Sequence, residues 1–343
     1  MRTARPVSAQ DLNLILERTS SIWGEARGQR IFVTGGTGFF GCWLVESFCH
    51  CNRELELNAS IVVLSRNPRA FAEKCPHLAA DPAVTLHAGD VRTFPFPEGE
   101  FGFILHAATD TNARAQAEAP DDLFSTIVDG TKRVLDMAAG SGARKFLLTS
   151  SGAVYGKQPS TMTHVPESWA GAPDLGNAYA EGKRTAELLC AQHASTNLEC
   201  KIARCWAFCG PHLPLDQHFA IGNFIGDALA GRPILIRGDG TPRRSYLYAA
   251  DLAIWLWTML FRAPALTPIN VGSGDDVSIL ELAKIVATTL RPETQIQVAQ
   301  EPVPGAAVAR YVPSVERASE LLGLRPTVGL EESIRRTAAW YRI

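Results

Sequence analysis

"RIFVTGGTGFFGCWLVESF" runs from Arg30 to Phe48 and joins a short β-branched run to a helical pattern through a string of glycines. Gly35, Gly38 and Gly41 fall where the strand ends and the helix begins. Glycine is needed at such a junction because the turn is tight, the backbone must approach a pyrophosphate, and the helix N-terminus supplies amide donors and a positive dipole. Dinucleotide binding is the reading this context supports, with Phe39 and Phe40 opening the helix inside the same cradle.

The same alternation of strand and helix recurs outward for about 200 residues. The pattern predicts strands over 61–65, 84–87, 102–106, 145–150 and 200–205. Continuous apolar strands alternating with helices of ten or more residues imply a parallel sheet covered on both faces with right-handed crossovers, a doubly wound, Rossmann-type α/β domain. From about Cys205 the rhythm changes. "FAIGNFIGDALAG" reads as a helix stopped by Gly231, "PILIRGDGTPRR" as a strand and glycine-rich loop, and "SILELAKIVATTL" as a helix opened by a capping box from Ser278 to Glu281. "SYLYAADLAIWLWTMLF" returns to core α/β material. The expected organisation is therefore a dinucleotide-binding domain over 29–205, joined again by 245–270, with a smaller interleaved substrate lobe over 206–244 and 271–343. Residues 1–28 form an extension, expected to be a short helix packed on the outside and without assigned function.

Composition narrows the partners. Hydrophobic residues make up 46% of the 343, and the formal net charge is −2 with no basic cluster, so neither nucleic acid nor an anionic membrane is an expected partner. No apolar run approaches the roughly 20 residues that span a bilayer, and Glu17 and Arg18 interrupt the apolar run near the start. A cytoplasmic protein is expected. Its eight cysteines, at 42, 49, 51, 75, 190, 200, 205 and 209, lack CxxC spacing. That argues for free thiols and against a disulfide framework or a metal site.

The TGxxGxxG spacing of "TGGTGFFG" resembles the short-chain dehydrogenase/reductase superfamily, and the chain length resembles its extended branch. The resemblance implies that Asp90 and Val91 of "AGDVR" contact the adenine, and that Ala107 and Ala108 of "HAAT" line the cofactor. "LLTSSGAVYG" and "NAYAEGKRTAE" supply Ser151, Tyr179 and Lys183. A tyrosine and a lysine four apart share a helix face, and an ammonium there is expected to lower the phenol's pKa from about 10 toward working pH, making it a general acid or base. Together these features resemble the nucleotide-sugar epimerase/dehydratase family over nearly the entire chain. That likeness implies a nucleoside diphosphate sugar as partner, contacted by Asn223, Arg244 and Arg310, and a homodimer built on helices near 121–139 and 179–194. Arginine suits the diphosphate because its planar fork donates two hydrogen bonds at once.

Departures from the family narrow the reaction. Its 4,6-dehydratases follow the Ser/Thr with Asp-Glu, and its decarboxylases use a Glu at the second of those places; here Gly152 and Ala153 stand there, and neither transfers a proton. Ala207 and Ile127 replace frequent asparagines, and Trp206, Phe208 and His212 are read as lining an unusual pocket, with core as the alternative for Trp206 and Phe208. Strand 61–65 ends in Ser65 and Arg66 where an acid would bind the ribose hydroxyl of NAD, so NADP is favoured over NAD. The reading is hydride transfer at sugar C4 by a 4-keto-6-deoxy nucleotide-sugar reductase, with a redox-neutral 4-epimerase as the alternative. A reductase of non-sugar ketones and, in another class, a non-catalytic dinucleotide sensor complete the set.

Overall fold

The structure, a computed structural model, describes residues 3–109, 118–217 and 219–342. Its strands in chain order are β1 Arg30–Thr34, β2 Ser60–Ser65, β3 Val84–Ala88, β4 Phe103–His106, β5 Lys145–Ser151, β6 Glu199–Cys205, β7 Phe208–Cys209, β8 Ile234–Ile236, β9 Arg243–Ser245, β10 Leu247–Tyr248, β11 Pro268–Val271, β12 Asp276–Ser278, β13 Ile296–Val298 and β14 Arg310–Tyr311. Among the described residues the main sheet has seven strands, all parallel, in the spatial order β3-β2-β1-β4-β5-β6-β11. The five strands expected beyond β1 lie within a residue of their predicted limits. Strand order reverses between β1 and β4, and that reversal opens a crevice at the carboxyl ends of the two strands.

Both faces of the sheet are buried, which explains why its strands read as unbroken apolar runs. Phe32, Val62, Leu64, Ile104, Phe146 and Leu148 pack on one side with the buried faces of helices Pro120–Gly140 and Ala178–His193. Ile31, Val33, Ile61, Val63, Leu105 and Leu147 pack on the other with helices Phe39–Glu54 and Ala249–Arg262. A smaller cluster joins helices Ala220–Leu229, Ile279–Leu290 and Leu330–Tyr341. Both expected caps are present: Ser278 and Glu281 form the reciprocal capping box, and Gly231 takes the left-handed conformation just past its helix. No helix among the described residues is long and apolar enough to cross a membrane.

The amino-terminal extension differs from the expectation of an outer ornament. Helix Ala9–Thr19 and the 3-10 turn Ser20–Ala26 cover helix Ala249–Arg262, whose residues 249–261 are all buried. A helix apolar on every side needs such a cover. Trp23 is fully buried, 4.7 Å from Trp257, and its indole donates to Thr19 Oγ1 at 3.0 Å. Asp11, 1% exposed, accepts from Tyr248 Oη at 2.9 Å and from Arg336 at 2.6 Å, tying the extension to the last helix. Trp23→Ala is expected to lower unfolding free energy by about 3–5 kcal/mol in urea titration; a loss under about 1 kcal/mol would mean the extension is peripheral.

His106 closes β4 inside the protein. One ring nitrogen pairs with Thr34 Oγ1 at 2.7 Å and the other with Thr131 Oγ1 at 3.0 Å, and burial pushes the imidazole pKa down to about 3. The unfolded chain, with a histidine near 6.5, binds the proton more readily, so this contribution is complete above about pH 6.5 and is lost as pH falls toward 3. Replacing His106 by Asn should flatten the pH dependence of unfolding free energy between pH 6 and 4 by up to about 1.4 kcal/mol per pH unit. Equal slopes in the two proteins would refute that role.

Candidate active site

The site grows from the ends of β1 and β4. Gly35 has φ +70°, and a Cβ there would lie 2.4 Å from the Ala107 carbonyl oxygen. At Gly41 a Cβ would lie 2.2 Å from Gly36 Cα, so the loop folds against the first helical turn only with glycine. Gly38 is different: within 4 Å a Cβ would meet only the Gly35 carbonyl oxygen, at 3.5 Å. Helix Phe39–Glu54 has no side-chain cap, which leaves its first amides to serve a ligand. Opposite, the amides of Ala107 and Ala108 bond to Thr34 O and Thr34 Oγ1, each at 3.1 Å. This cradle fits a dinucleotide pyrophosphate. Phe39 and Phe40 join it through the backbone, since Phe40 stacks edge-on against Phe208 at 5.0 Å and Phe39 packs on Phe40.

Ser65 and Arg66 end β2 and line a cleft with Thr37, Asn67, Ala70, Phe71 and Lys74. Among the described residues, two cations and no carboxylate line this cleft. Asp90 is held by Arg92, whose Nε donates at 2.9 Å, and that pairing keeps its carboxyl below the usual range. Val91 is buried against Gly130, where it serves packing.

Ser151 ends β5, and helix Ala178–His193 carries Tyr179 and Lys183 to it. The helix begins with Asn177 accepting from the Ala180 amide at 3.0 Å. Lys183 is 3% exposed and donates to Thr149 O at 2.8 Å and Thr109 Oγ1 at 2.7 Å. Burial pulls its ammonium down to about 8. The expected lowering of the Tyr179 pKa by Lys183 is not what the protein shows by itself. Burial pushes the phenol up to about 12, its Ser151 hydrogen bond pulls the other way, and the Lys183 Nζ lies 6.0 Å from the ring centre. Desolvation therefore sets the direction of the shift.

Sequence reasoning missed a second phenol. Tyr311, on β14, stands beside Ser151 at Gly152, and burial raises its pKa too. A Cβ on Gly152 would lie 2.7 Å from Tyr311 Oη and 2.6 Å from the Trp206 ring. The place after Ser151 is thus filled from outside by an aromatic pair whose ring centres are 4.4 Å apart. Trp206 is buried and donates to Asn270 Oδ1 at 3.1 Å, so it is both core and wall of the site. Phe208 and His212 are buried, and Ile127 packs against Gly182 of helix Ala178–His193. Ala207 offers its carbonyl to the Leu247 amide at 3.0 Å, a strand contact.

Arg244 pairs in register with Tyr311, its guanidinium 5.8 Å from that ring, and no carboxylate pairs with it among the described residues. Arg310 instead bonds Asp276 at 3.0 Å, a carboxylate it shares with Arg243, so its charge is engaged within the sheet. Asn223 is half-buried on helix Ala220–Leu229.

Comparison with known proteins places the chain in a family. The chain is 31% identical over 311 residues to UDP-glucuronic acid decarboxylase 2 of Arabidopsis thaliana, covering 90% of this chain and 67% of that protein. Its fold is similar to UDP-N-acetylglucosamine 4-epimerase from Methanobrevibacter ruminantium M1 in complex with UDP-N-acetylmuramic acid, at TM-score 0.79 and 21% identity over 91% of this chain and 98% of that one. It is also similar to the UDP-glucose 4-epimerase of Thermus thermophilus in complex with NAD, at TM-score 0.74 and 24% identity over 91% and 99%. A sequence model of the NAD dependent epimerase/dehydratase family matches residues 31–272, and the chain belongs to that family.

Proposed function

We propose that this enzyme performs hydride transfer at C4 of a nucleoside diphosphate sugar, most specifically the reduction of a 4-keto-6-deoxy sugar nucleotide. The observation that carries the proposal is the crowding at Gly152 by Trp206 and the Tyr311 hydroxyl, next to an alanine at 153. Elimination of water or loss of a carboxylate would call on acid and base groups at those two places. The nearby carboxylates are engaged elsewhere: Glu187 pairs with Arg204 at 2.7 Å, and Glu167 accepts from the Asn270 amide at 2.8 Å. The proton donors gathered at Ser151 are two phenols.

A nicotinamide dinucleotide held by the glycine cradle, Ala107, Ala108 and Lys183 would supply the hydride for the sugar carbon. Tyr179 delivers the proton to O4 as the C4–H bond forms, and Ser151 hydrogen-bonds that same oxygen. Lys183, fixed by Thr149 and Thr109, holds the ribose and stabilises the phenolate left behind. Arg244 is the cation available for the sugar diphosphate. Arg66, just past β2, and Lys74, in the same cleft, support NADP over NAD, since an acid there would repel a 2′-phosphate. The second reading is a redox-neutral 4-epimerase, supported by the epimerases of similar fold. We further infer a cytoplasmic homodimer joined through helices Pro120–Gly140 and Ala178–His193, which leave Phe124 37% and Leu188 57% exposed.

With a 4-keto-6-deoxy sugar nucleotide, Tyr179→Phe should lower kcat by about 10²–10⁴ while leaving dinucleotide affinity within a few fold. Wild-type turnover in that variant would remove Tyr179 from the proton path. Arg66→Ala should raise the KM for NADPH by about tenfold and leave that for NADH nearly unchanged, because one charged contact to a phosphate is worth about 1.4 kcal/mol or more. Equal effects on both cofactors would make Arg66 a passive turn residue. Interconversion of 4-epimers without net NADPH oxidation would favour the second reading.

A further inference from the structure

Behind the cofactor cleft lies a cluster that the spacing of the cysteines concealed. Cys42 sits in the first turn of helix Phe39–Glu54, one residue after Gly41. Cys75 occupies the junction between helices Pro68–Lys74 and Pro76–Ala79, which follow β2. His212 sits in the loop after β7, anchored next door by Trp43, whose indole donates to Pro211 O at 2.9 Å. The two sulfurs and one imidazole nitrogen all lie within 4.8 Å of one another. Both cysteines are fully buried and His212 is 7% exposed.

His212 is the telling member. Its backbone is left-handed at φ +70°, and its ring packs at a tilt against Trp340, 4.6 Å between centres. Neither ring nitrogen meets a hydrogen-bond partner among the described residues, although both are buried. A buried imidazole without partners costs about 1–3 kcal/mol per polar group, a penalty that a ligand would offset. The nearest charged groups are otherwise disposed: Glu46 accepts from the Val7 amide at 2.6 Å and meets His77 at 3.4 Å, and Lys74 lines the cofactor cleft.

We propose that Cys42, Cys75 and His212 bind a single thiophilic d10 metal ion, zinc(II) by charge and donor set. Two thiolates and a neutral imidazole match the Cys2His set known for zinc, with solvent in the fourth position. Binding displaces one proton from each thiol, and Zn²⁺ with two thiolates and a neutral ring leaves no net charge in a buried place. Zinc–sulfur bonds of about 2.3 Å put tetrahedral donors about 3.8 Å apart, so the cluster needs to close by about 1 Å or less. The ion joins three segments that frame the dinucleotide cleft: the helix of the glycine cradle, the segment after Ser65 and Arg66, and the loop after β7. Cys42 Sγ already reaches the carbonyl of Thr37, a residue that lines that cleft, at 3.8 Å. The site stands whatever reaction the neighbouring centre performs.

The test is metal binding by the full chain. Reduced protein stripped with a chelator and titrated with Zn²⁺ should take up one equivalent per chain, measured by mass spectrometry of the metal. Cobalt(II) in its place should give a near-ultraviolet thiolate-to-cobalt charge-transfer band together with the visible bands of a tetrahedral ion. Cys75→Ser should weaken Zn²⁺ affinity by about a hundredfold or more and abolish the band, and His212→Gln should weaken affinity while keeping the band. Cys200→Ser, whose thiol lies elsewhere in the core, should bind as the native protein does. Circular dichroism confirms that each variant is folded. Failure of the folded native protein to bind Zn²⁺, a cobalt complex without the thiolate band, or full affinity in Cys75→Ser would overturn the proposal.

Discussion

The carboxyl ends of β1 and β4 approach so closely that a single methyl group at Gly35 would enter the Ala107 backbone. Everything else at the centre is arranged around that approach. It places the amides of Ala107 and Ala108 on Thr34, turns the chain into the helix at Phe39, and leaves the space over Gly38 clear of protein. The constraint is backbone against backbone, so no rotamer change relieves it. His106 fixes the same junction from inside by bridging Thr34 to Thr131 with a neutral ring.

From that junction the sheet runs outward to Ser151, and the helix of Tyr179 is drawn in by a buried lysine. Lys183 bonds a carbonyl of β5 and a hydroxyl beyond β4, so one cation positions the helix against two strand ends. The cost is a desolvated ammonium, shifted down by burial, and a desolvated phenol, shifted up. Tyr311 and Trp206 then fill the volume beyond Ser151.

Much of this was legible in the sequence because the signals are local. The glycines, the continuous apolar strands, the caps at Ser278 and Gly231, and the Ser151, Tyr179, Lys183 set all lie within one or two turns of the element they specify. What escaped notice depends on contacts between distant segments. Tyr311 stands 160 residues from Ser151 and carries no motif of its own; the cue was that a glycine at 152 needs a neighbour to occupy the gap. The extension at residues 3–28 looked peripheral until its partner was known, though the all-round apolarity of residues 249–261 already demanded a cover. Cys42, Cys75 and His212 meet only because the chain crosses the sheet between them, which no spacing rule detects. The sign of the Tyr179 shift was misjudged for the same reason: proximity to a lysine is readable from i, i+4 spacing, and burial is not.

The account turns on hydride reaching C4 of the sugar, and isotope transfer tests that directly. Incubation of the protein with a 4-keto-6-deoxy sugar nucleotide and NADPH carrying deuterium at nicotinamide C4, in the transferable position, should give a product with one deuterium at sugar C4 for each NADPH oxidised, located by proton NMR. A product lacking that deuterium, or one whose label sits at another carbon, would contradict the account.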